Sequence, residues 1–314
     1  MPDQKTIAVI GGTGFIGRNI VEQLARQGMR IKILTRNADR AKFLKPMGDV
    51  GQITAIAGNA LDDDVLRKVL SGVDGVVNTI GILAESGTQR FDTLQAELPG
   101  RIGRIAHELG LHKVVQLSAI GADASSTSKY AKSKALGEQS LLSAFPEATI
   151  LRPSLVFGSG DGFFNRFASM AVLAPGLPVI GGGKNKVQPV FVGDVARAVV
   201  EAIHNNQHQG KIYELGGPEV MSFRDVMAYI LKLTKRRRAL VPIPFGIMGL
   251  AAGAMSVLPN APVTRDQLKM LKIDNVVGNE ALGLSELGIE PTPVELVVPS
   301  YLERYQPGGR FAIK

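Results

Sequence analysis

The first half of the chain alternates between short apolar runs and segments in which apolar residues recur at helical spacing. Runs rich in Val and Ile, which predict strands, lie at residues 6–10, 31–35, 53–57, 75–79, 114–118 and 148–151. Helical spacing follows between them, for example over 62–70 and 91–109. Strands that are apolar almost throughout and alternate with helices are typical of a parallel sheet buried on both faces. We therefore predict an α/β fold with a doubly wound parallel sheet.

The regular alternation ends near residue 152. Beyond it, Gly and Pro cluster over 158–162 and 175–183, and strands are predicted only at 190–192 and 212–215. A chain of 314 residues is long enough for two domains. We predict a sheet domain over 1–152, completed by 187–204, and a smaller C-terminal α/β domain over 153–314. The smaller domain would bind a substrate or dock on a partner.

The composition excludes several classes of protein. The chain has no cysteine, which excludes disulfides, thiolate-bound metals, iron–sulfur clusters and thiol nucleophiles. Lys and Arg number 36 against 28 Asp and Glu, but aromatic residues make up only 5%, so no stacking surface for nucleic acid is visible. His204 and His208 have the spacing of two metal ligands on one helix face, yet their neighbours predict a polar loop. We expect neither nucleic acid nor a metal as a ligand.

The first predicted strand leads into a glycine-rich turn that is followed by a helix. Glycines at 11, 14 and 17 permit a tight turn, a close approach of the backbone to a pyrophosphate, and close packing of the helix on the sheet. The positive end of the helix then faces the anion. Because the turn lies between a predicted strand and a predicted helix, we expect a bound dinucleotide. The candidate contacts are Gly11, Thr13, Gly14, Phe15, Ile16 and Gly17.

The residues after the second predicted strand indicate which dinucleotide binds. An NAD site carries Asp or Glu there, and the carboxylate accepts a hydrogen bond from the ribose 2′-hydroxyl. This chain has Arg36 in that place and Arg40 one helical turn further along. Because a guanidinium forms charge-assisted hydrogen bonds with a 2′-phosphate, the sequence favours NADP(H) over NAD(H).

A third group of residues has the pattern of an acid/base site. Ser118 ends the fifth predicted strand, and Tyr130 and Lys134, four residues apart on a predicted helix, share one face. The Lys134 ammonium and the positive ring of the cofactor are expected to lower the pKa of Tyr130 from its usual value of ~10. Ser118 would hold a substrate oxygen while Tyr130 exchanges a proton and the nicotinamide exchanges a hydride. Ser118, Tyr130 and Lys134 are therefore the predicted catalytic residues.

At these positions the chain resembles the short-chain dehydrogenase/reductase superfamily, in its extended or atypical branch. The resemblance covers essentially the whole chain and includes the glycine-rich turn, Ser118, Tyr130 with Lys134, and Arg152-Pro153-Ser154. It implies a Rossmann fold. It also implies cofactor contacts from Tyr130 and Lys134 and from Ala60, Leu61, Thr79, Ile80, Gly81, Pro153 and Ser154.

Shorter stretches resemble one group within that branch, the NADPH-binding accessory subunit of respiratory complex I and its bacterial relatives. These stretches lie at 44–52, 144–149, 166–170, 187–195, 263–267 and 287–293. The resemblance implies an accessory or assembly role, complex I subunits as partners, and a cofactor that is structural. The alternative hypothesis is an active NAD(P)H-dependent oxidoreductase or epimerase that acts on a hydrophobic carbonyl or a sugar nucleotide.

The stretch 239–264 contains no charged residue and directly follows four cations, Lys235, Arg236, Arg237 and Arg238. Prolines interrupt both of its ends, and the remaining 245–258 would span about 21 Å as a helix, less than the ~30 Å hydrocarbon core of a membrane. Two hypotheses stay open. Either the segment forms core or pocket wall of the smaller domain, in which case polar substitutions at Ile247 and Leu250 would unfold it, or it docks with the cations on an anionic membrane or a partner.

The first residues show neither a secretory signal nor a transit peptide. We therefore expect a cytoplasmic protein, peripheral on the inner-membrane face in a bacterium. For a processed organellar protein, we expect the matrix side of the mitochondrial membrane.

Overall fold

The computed structural model describes residues 4–255 and 263–309 of the chain. Its strands are β1 (Thr6–Ile10), β2 (Arg30–Thr35), β3 (Ile53–Ala57), β4 (Gly75–Asn78), β5 (Lys113–Leu117), β6 (Thr149–Pro153), β7 (Val156–Phe157), β8 (Gly176–Ile180), β9 (Lys186–Val187), β10 (Val190–Phe191), β11 (Ile212–Leu215), β12 (Met221–Ser222) and β13 (Ala239–Ile243).

The α-helices are α1 (Phe15–Arg26), α2 (Asp63–Leu70), α3 (Leu98–Glu108), α4 (Lys129–Ala144), α5 (Phe164–Leu173), α6 (Val192–His204), α7 (Phe223–Leu233), α8 (Phe245–Met255), α9 (Arg265–Met270) and α10 (Val294–Leu302). A π-helical turn, Asp92–Glu97, precedes α3. Short 3-10 helices lie at Asp39–Met47, Gly181–Gly183, Asn206–His208, Ser285–Leu287 and Glu303–Tyr305. None of the described helices is long and apolar enough to cross a membrane.

A seven-stranded parallel sheet in the order β11-β6-β5-β4-β1-β2-β3 confirms the predicted doubly wound fold. The seventh strand corrects the prediction, which placed 212–215 outside this sheet. β11 pairs with β6, and its Tyr213 and Leu215 are fully buried. This four-residue segment joins the sheet because its alternate side chains, Tyr213 and Leu215, point to the same face and are buried there.

Side chains on β1 alternate between two apolar layers. Ala8 and Ile10 belong to a cluster with α2, α3 and α4, while Ile7 and Val9 are equally buried and point to the opposite face. On that opposite face Gly12 lies against Val9 and against Val21 of α1. A sheet covered by helices on both faces explains why its strands are apolar almost throughout.

The chain divides into two compact units. The first consists of 1–153, 192–215 and 279–290, and the second of 154–191, 216–278 and 291–314. The segment 279–290, which the sequence assigned to the C-terminal domain, packs with the first unit because Glu214 N donates to Leu282 O. The second unit has its own core, built around Phe157, Phe164 and the buried faces of α7 and α10.

The second unit contains strands that the sequence analysis missed. β8 and β13 pair in parallel, with Pro178 opposite Val241 and Pro242 opposite Val179. Proline lacks the donor that a central strand needs, so its presence argued against strands at these positions. A ribbon of two strands accommodates it because each strand leaves one edge unpaired.

The uncharged stretch that follows the four cations forms β13 and α8, while residues 256–262 lie outside the described part of the chain. Ile247 and Leu250 are 62% and 77% exposed, so these two side chains lie outside the core, contrary to the first hypothesis. Two of the four cations are structural: Arg236 donates to Tyr305 O, and Arg238 donates to Ala171 O at the end of α5.

His208 also differs from the expectation of a solvated polar loop. It is buried, its Nδ1 lies 2.7 Å from the Tyr213 hydroxyl, and its Nε2 lies 3.3 Å from Glu201 Oε1. The short 3-10 turn after α6 directs this side chain inward, so it joins α6 to β11 rather than facing solvent.

Candidate functional site

The sheet is built in two halves, β1-β2-β3 on one side and β4-β5-β6-β11 on the other. The chain changes from the first half to the second between β3 and β4, and the two halves meet where β1 pairs with β4. At the carboxyl ends of these two strands, the Thr79 backbone N–H and hydroxyl each donate to Ile10 O at 2.9 Å. Gly11 has a φ of +87°, and a Cβ there would lie 2.7 Å from Thr79 Oγ1. Ligands of doubly wound sheets bind at such a crossing point.

The glycine-rich turn brings the start of α1 directly onto the end of β1. A Cβ on Gly17 would collide with Gly11 O and lie 2.8 Å from Gly12 Cα, so only glycine fits. Gly14 occupies the N-cap position, and no side chain caps α1. The N–H groups of its first turn therefore keep their capacity to bind an anion. Thr13, Phe15 and Ile16 are half-buried in this turn.

Arg36 and Arg40 follow β2 at the same edge of the sheet. A turn built on Asn37 holds this segment, since Asn37 Oδ1 accepts from the backbone N–H groups of Asp39 and Arg40. Both arginine side chains are exposed, and neither guanidinium has a hydrogen-bond or ion-pair partner among residues 4–255 and 263–309. Gly11 N donates to Leu34 O, which ties the glycine turn to the end of β2.

The remaining predicted cofactor contacts lie at strand ends of the first unit, with one exception. Ala60 and Leu61 follow β3, Thr79 to Gly81 follow β4, and Pro153 ends β6. Ser154 is the first residue of the second unit. Its hydroxyl donates to Asn275 O at 2.8 Å and accepts a hydrogen bond from the Gln188 backbone N–H at 3.3 Å. Ser154 therefore already has hydrogen-bond partners within the second unit.

Ser118, Tyr130 and Lys134 lie in and beside the end of β5. Lys134 Nζ donates to Leu117 O at 3.2 Å and lies 6.0 Å from the centroid of the Tyr130 ring. A Cβ on Gly81 would lie 3.2 Å from Lys134 Nζ, so this lysine also borders the end of β4. Ser118 Oγ is buried and has no hydrogen-bond partner among the described residues. A buried hydroxyl without a partner is costly, and a ligand atom would satisfy it.

Burial controls the protonation of this group. It raises the pKa of Tyr130 to about 12 and lowers the pKa of Lys134 to about 8, although Glu138 acts in the opposite direction on Lys134. The expected lowering of the Tyr130 pKa by Lys134 is therefore wrong for the protein alone. The reason is that burial destabilises the charged phenolate more than the Lys134 ammonium stabilises it.

A buried ion pair lies one helical turn beyond Lys134. Arg152 on β6 donates to both oxygens of Glu138, at 3.0 and 2.6 Å, and its other nitrogen lies 3.5 Å from Glu214 on β11. Glu138 is only 5% exposed, so the two-point contact with Arg152 is what compensates its burial. This pair fixes α4, and with it Tyr130 and Lys134, against the sheet.

The structure adds two residues that sequence reasoning missed, Gln95 and Phe91. Gln95 is buried, donates to Ile82 O at 2.6 Å and accepts from Ser133 Oγ at 2.9 Å. Phe91 meets Tyr130 edge-on at 6.1 Å. Gln95 thus joins the loop after β4 to the residue that precedes Lys134.

The helix predicted over 91–109 is not a single α-helix, and its first part is the π-helical turn that contains Gln95. Helices of this kind occur preferentially at functional sites. The turn packs against Gly137 of α4 so closely that any Cβ there would collide with Gln95 O. Gly137 is the one signal in the sequence that could have indicated this contact.

Comparison with known proteins gives a family and close relatives. Residues 7–216 match the model of the family described as "NAD dependent epimerase/dehydratase family". The chain is 32% identical over 313 residues to the mitochondrial NADH dehydrogenase [ubiquinone] 1 alpha subcomplex subunit 9 of Arabidopsis thaliana. This alignment covers 96% of this chain and 78% of the relative. The subunit of the same name from Mus musculus is 33% identical over 301 residues, covering 95% and 80%.

Among solved structures, the NADPH-dependent quinone oxidoreductase QOR2 of Escherichia coli, complexed with NADPH, matches with a TM-score of 0.73 at 21% identity. The match covers 94% of this chain and 99% of that one. At this level of identity the likeness supports the fold alone.

We predict that the burial of Lys134 gives the stability of the protein a characteristic pH dependence. Folding lowers the pKa of Lys134 from 10.5 to about 8, so between these values the unfolded chain binds more protons than the folded one. The unfolding free energy of nucleotide-free wild type, relative to Lys134→Met, should therefore rise with pH through this window, by roughly 3 kcal/mol in total, and stay level below it.

Urea unfolding at a series of pH values measures this difference. Lys132→Met, at an exposed position on the same helix, is the matched control. A wild-type stability that falls relative to Lys134→Met as the pH rises through the window would contradict the conclusion that burial lowers the pKa of Lys134.

Proposed function

The chain belongs to the NAD dependent epimerase/dehydratase family, and we propose that within this family it is an NADP(H)-binding accessory subunit or assembly component of respiratory complex I. The cofactor in this proposal is structural. The observation that carries it is the likeness to the mitochondrial alpha subcomplex subunits, which runs through both units of the chain.

The glycine turn supports the binding of a dinucleotide. The uncapped first turn of α1 offers N–H donors and the positive end of the helix to a pyrophosphate, and Gly11, Gly14 and Gly17 let the backbone approach it. Thr79 and Gly81 border the same edge from β4. These residues would hold the cofactor, with Ala60 and Leu61 beside its adenine half.

Arg36 supports NADP(H) rather than NAD(H). Its side chain is exposed at the end of β2, where an NAD site would carry a carboxylate. Arg40, one turn further along, adds a second positive charge. Two guanidiniums that have no partner among the described residues suit a 2′-phosphate, which carries more than one negative charge.

A second candidate function, an NAD(P)H-dependent oxidoreductase or epimerase, is favoured by one observation: the buried hydroxyl of Ser118 lacks a partner among the described residues. In that case Ser118 would hold the substrate oxygen and Tyr130 would deliver a proton to it, while bound nicotinamide supplies the hydride. The raised pKa of Tyr130 suits a proton donor but not a proton acceptor near neutral pH. Within the accessory proposal, the same three side chains only line the cofactor.

We place the protein, as part of this proposal, peripherally at the inner-membrane face. It would be cytoplasmic in a bacterium and on the matrix side in a mitochondrion, and the second unit would contact an anionic membrane peripherally. Its partners would be complex I subunits.

The choice of cofactor depends on Arg36. Arg36→Asp should weaken NADPH binding by a few kcal/mol, because charge-assisted bonds are lost and a repulsion is added, while NADH binding stays equal or improves. Arg30→Asp makes the same change of charge at the opposite, exposed end of β2 and should leave both affinities nearly unchanged. Isothermal titration of the three proteins with both nucleotides measures this, and a wild type that prefers NADH would overturn the proposal of NADP(H).

The structural role of the cofactor depends on what Tyr130 does. Tyr130→Phe should retain NADPH within about tenfold of wild-type affinity, since at most one hydrogen bond of ~1 kcal/mol is lost. Neither protein should turn over carbonyl substrates. A wild-type reductase or epimerase activity that drops ~10²–10⁴-fold in Tyr130→Phe, with folding intact, would instead establish the second candidate function.

A further inference from the structure

α8 in the second unit is a helix that its own unit covers only in part. Its sequence, FGIMGLAAGAM, contains no charged or polar side chain on any face. Ala252, with Phe245 and Met248, packs in a small cluster with Ile180 and Leu268, whereas Ile247 and Leu250 are 62% and 77% exposed. A helix that is apolar all round normally has its whole surface covered. The exposed side of α8 therefore requires another apolar partner.

Positive charges lie next to α8, and they come from α9 and the residues after it. Arg265, Lys269 and Lys272 recur at the spacing of one helix face, and they line a pocket of about 170 Å³ together with Phe245 and Gly249. Lys272 Nζ lies 5.4 Å above the ring of Phe245. Each of these three residues is exposed.

Glycines of α8 make room for these cations. The guanidinium of Arg265 lies directly against Gly253, where any Cβ would collide with it. A Cβ on Gly249, which also lines the pocket, would meet no described atom within 4 Å, so the pocket wall is open at this position. Small residues at these two positions bring positive charge and apolar surface into one small site.

The cations that precede β13 are placed differently. Arg236 and Arg238 donate to backbone carbonyls, which leaves Lys235 and Arg237 as the exposed members of that run. These two lie before the first residue of β13, while α8 follows its last residue. The strand between has five residues and spans roughly 16 Å at ~3.3 Å per residue. At physiological ionic strength this is about two Debye lengths.

We propose that the pocket between α8 and α9 binds the phosphate of an anionic phospholipid, with Ile247 and Leu250 inserted among the acyl chains beside it. This inference rests on the peripheral membrane contact that is part of the proposed function. A membrane fits better than a protein because α8 has no side chain that forms hydrogen bonds, and specific protein interfaces carry one hydrogen bond per ~100–200 Å². Positive charge beside exposed apolar side chains is the combination that anionic lipid surfaces bind.

The test is a vesicle co-sedimentation assay with the full chain at physiological ionic strength. Wild type should bind vesicles of phosphatidylcholine and phosphatidylglycerol in equal parts, and not vesicles of phosphatidylcholine alone. The double variant Lys269→Gln/Lys272→Gln should lose roughly 30-fold in affinity, at ~1 kcal/mol per cation near the surface. Lys235→Gln/Arg237→Gln removes the same charge elsewhere in the unit and should change affinity by less than about threefold.

A second pair of variants tests insertion. Ile247→Ser/Leu250→Ser should reduce binding at least ~10-fold, because the apolar area that enters the membrane is lost. Leu173→Ser/Leu296→Ser is the matched control, since these leucines are 85% and 74% exposed elsewhere in the second unit. All four residues are exposed, so thermal unfolding should show little change in stability for either variant.

Each outcome decides a different point. Equal losses in the two charge variants would overturn the pocket while leaving the membrane contact in place. If wild type does not bind anionic vesicles, or binds inorganic phosphate in a titration without binding vesicles, both the lipid-binding pocket and the membrane contact are overturned. Binding that survives Ile247→Ser/Leu250→Ser would overturn insertion through α8. None of these results affects the binding of NADP(H), which resides in the first unit.

Discussion

The close approach of Gly17 to the backbone of Gly11 and Gly12 determines most of what the first unit can do. It places the start of α1 directly over the end of β1, where a side chain on Gly17 would force the helix away. No side chain caps α1, so the N–H groups of its first turn have no side-chain partner from the cap. The hydrogen bonds from Thr79 to Ile10 join the end of β4 to the end of β1. This backbone geometry is the feature on which the proposed pyrophosphate site depends.

Tyr130, Lys134 and Glu138 recur every fourth residue along α4 and are all buried. Burial favours the uncharged forms of the first two, and Glu138 forms a two-point contact with Arg152. This ion pair fixes the helix against β6 and β11, and Gln95 fixes the loop after β4 against the same helix. The site is therefore held together by contacts from β6, β11 and the loop after β4. Such a setting suits long retention of a nucleotide as well as it suits catalysis.

The sequence predicted the sheet well because its central strands β1, β4, β5 and β6 are buried on both faces and therefore appear as continuous apolar runs. It was less informative wherever a contact depends on residues that are distant in the chain. β8 and β13 contain prolines and are strands only because each pairs with the other. Gln95 gained its role from a π-helical turn that helical spacing cannot distinguish from an α-helix. The positive charges that line the pocket beside α8 come from α9 and from Lys272 after it, and not from the cations at 235–238.

The central claim is that the first unit retains NADP(H) as a structural cofactor. The most direct measurement is mass spectrometry of the nucleotide released by denaturing wild-type protein that was purified without added nucleotide, followed by an assay of hydride exchange between the bound cofactor and carbonyl compounds. We expect stoichiometric NADP(H) and no exchange. Released NAD(H), the absence of any nucleotide, or rapid exchange with a carbonyl substrate would contradict this account.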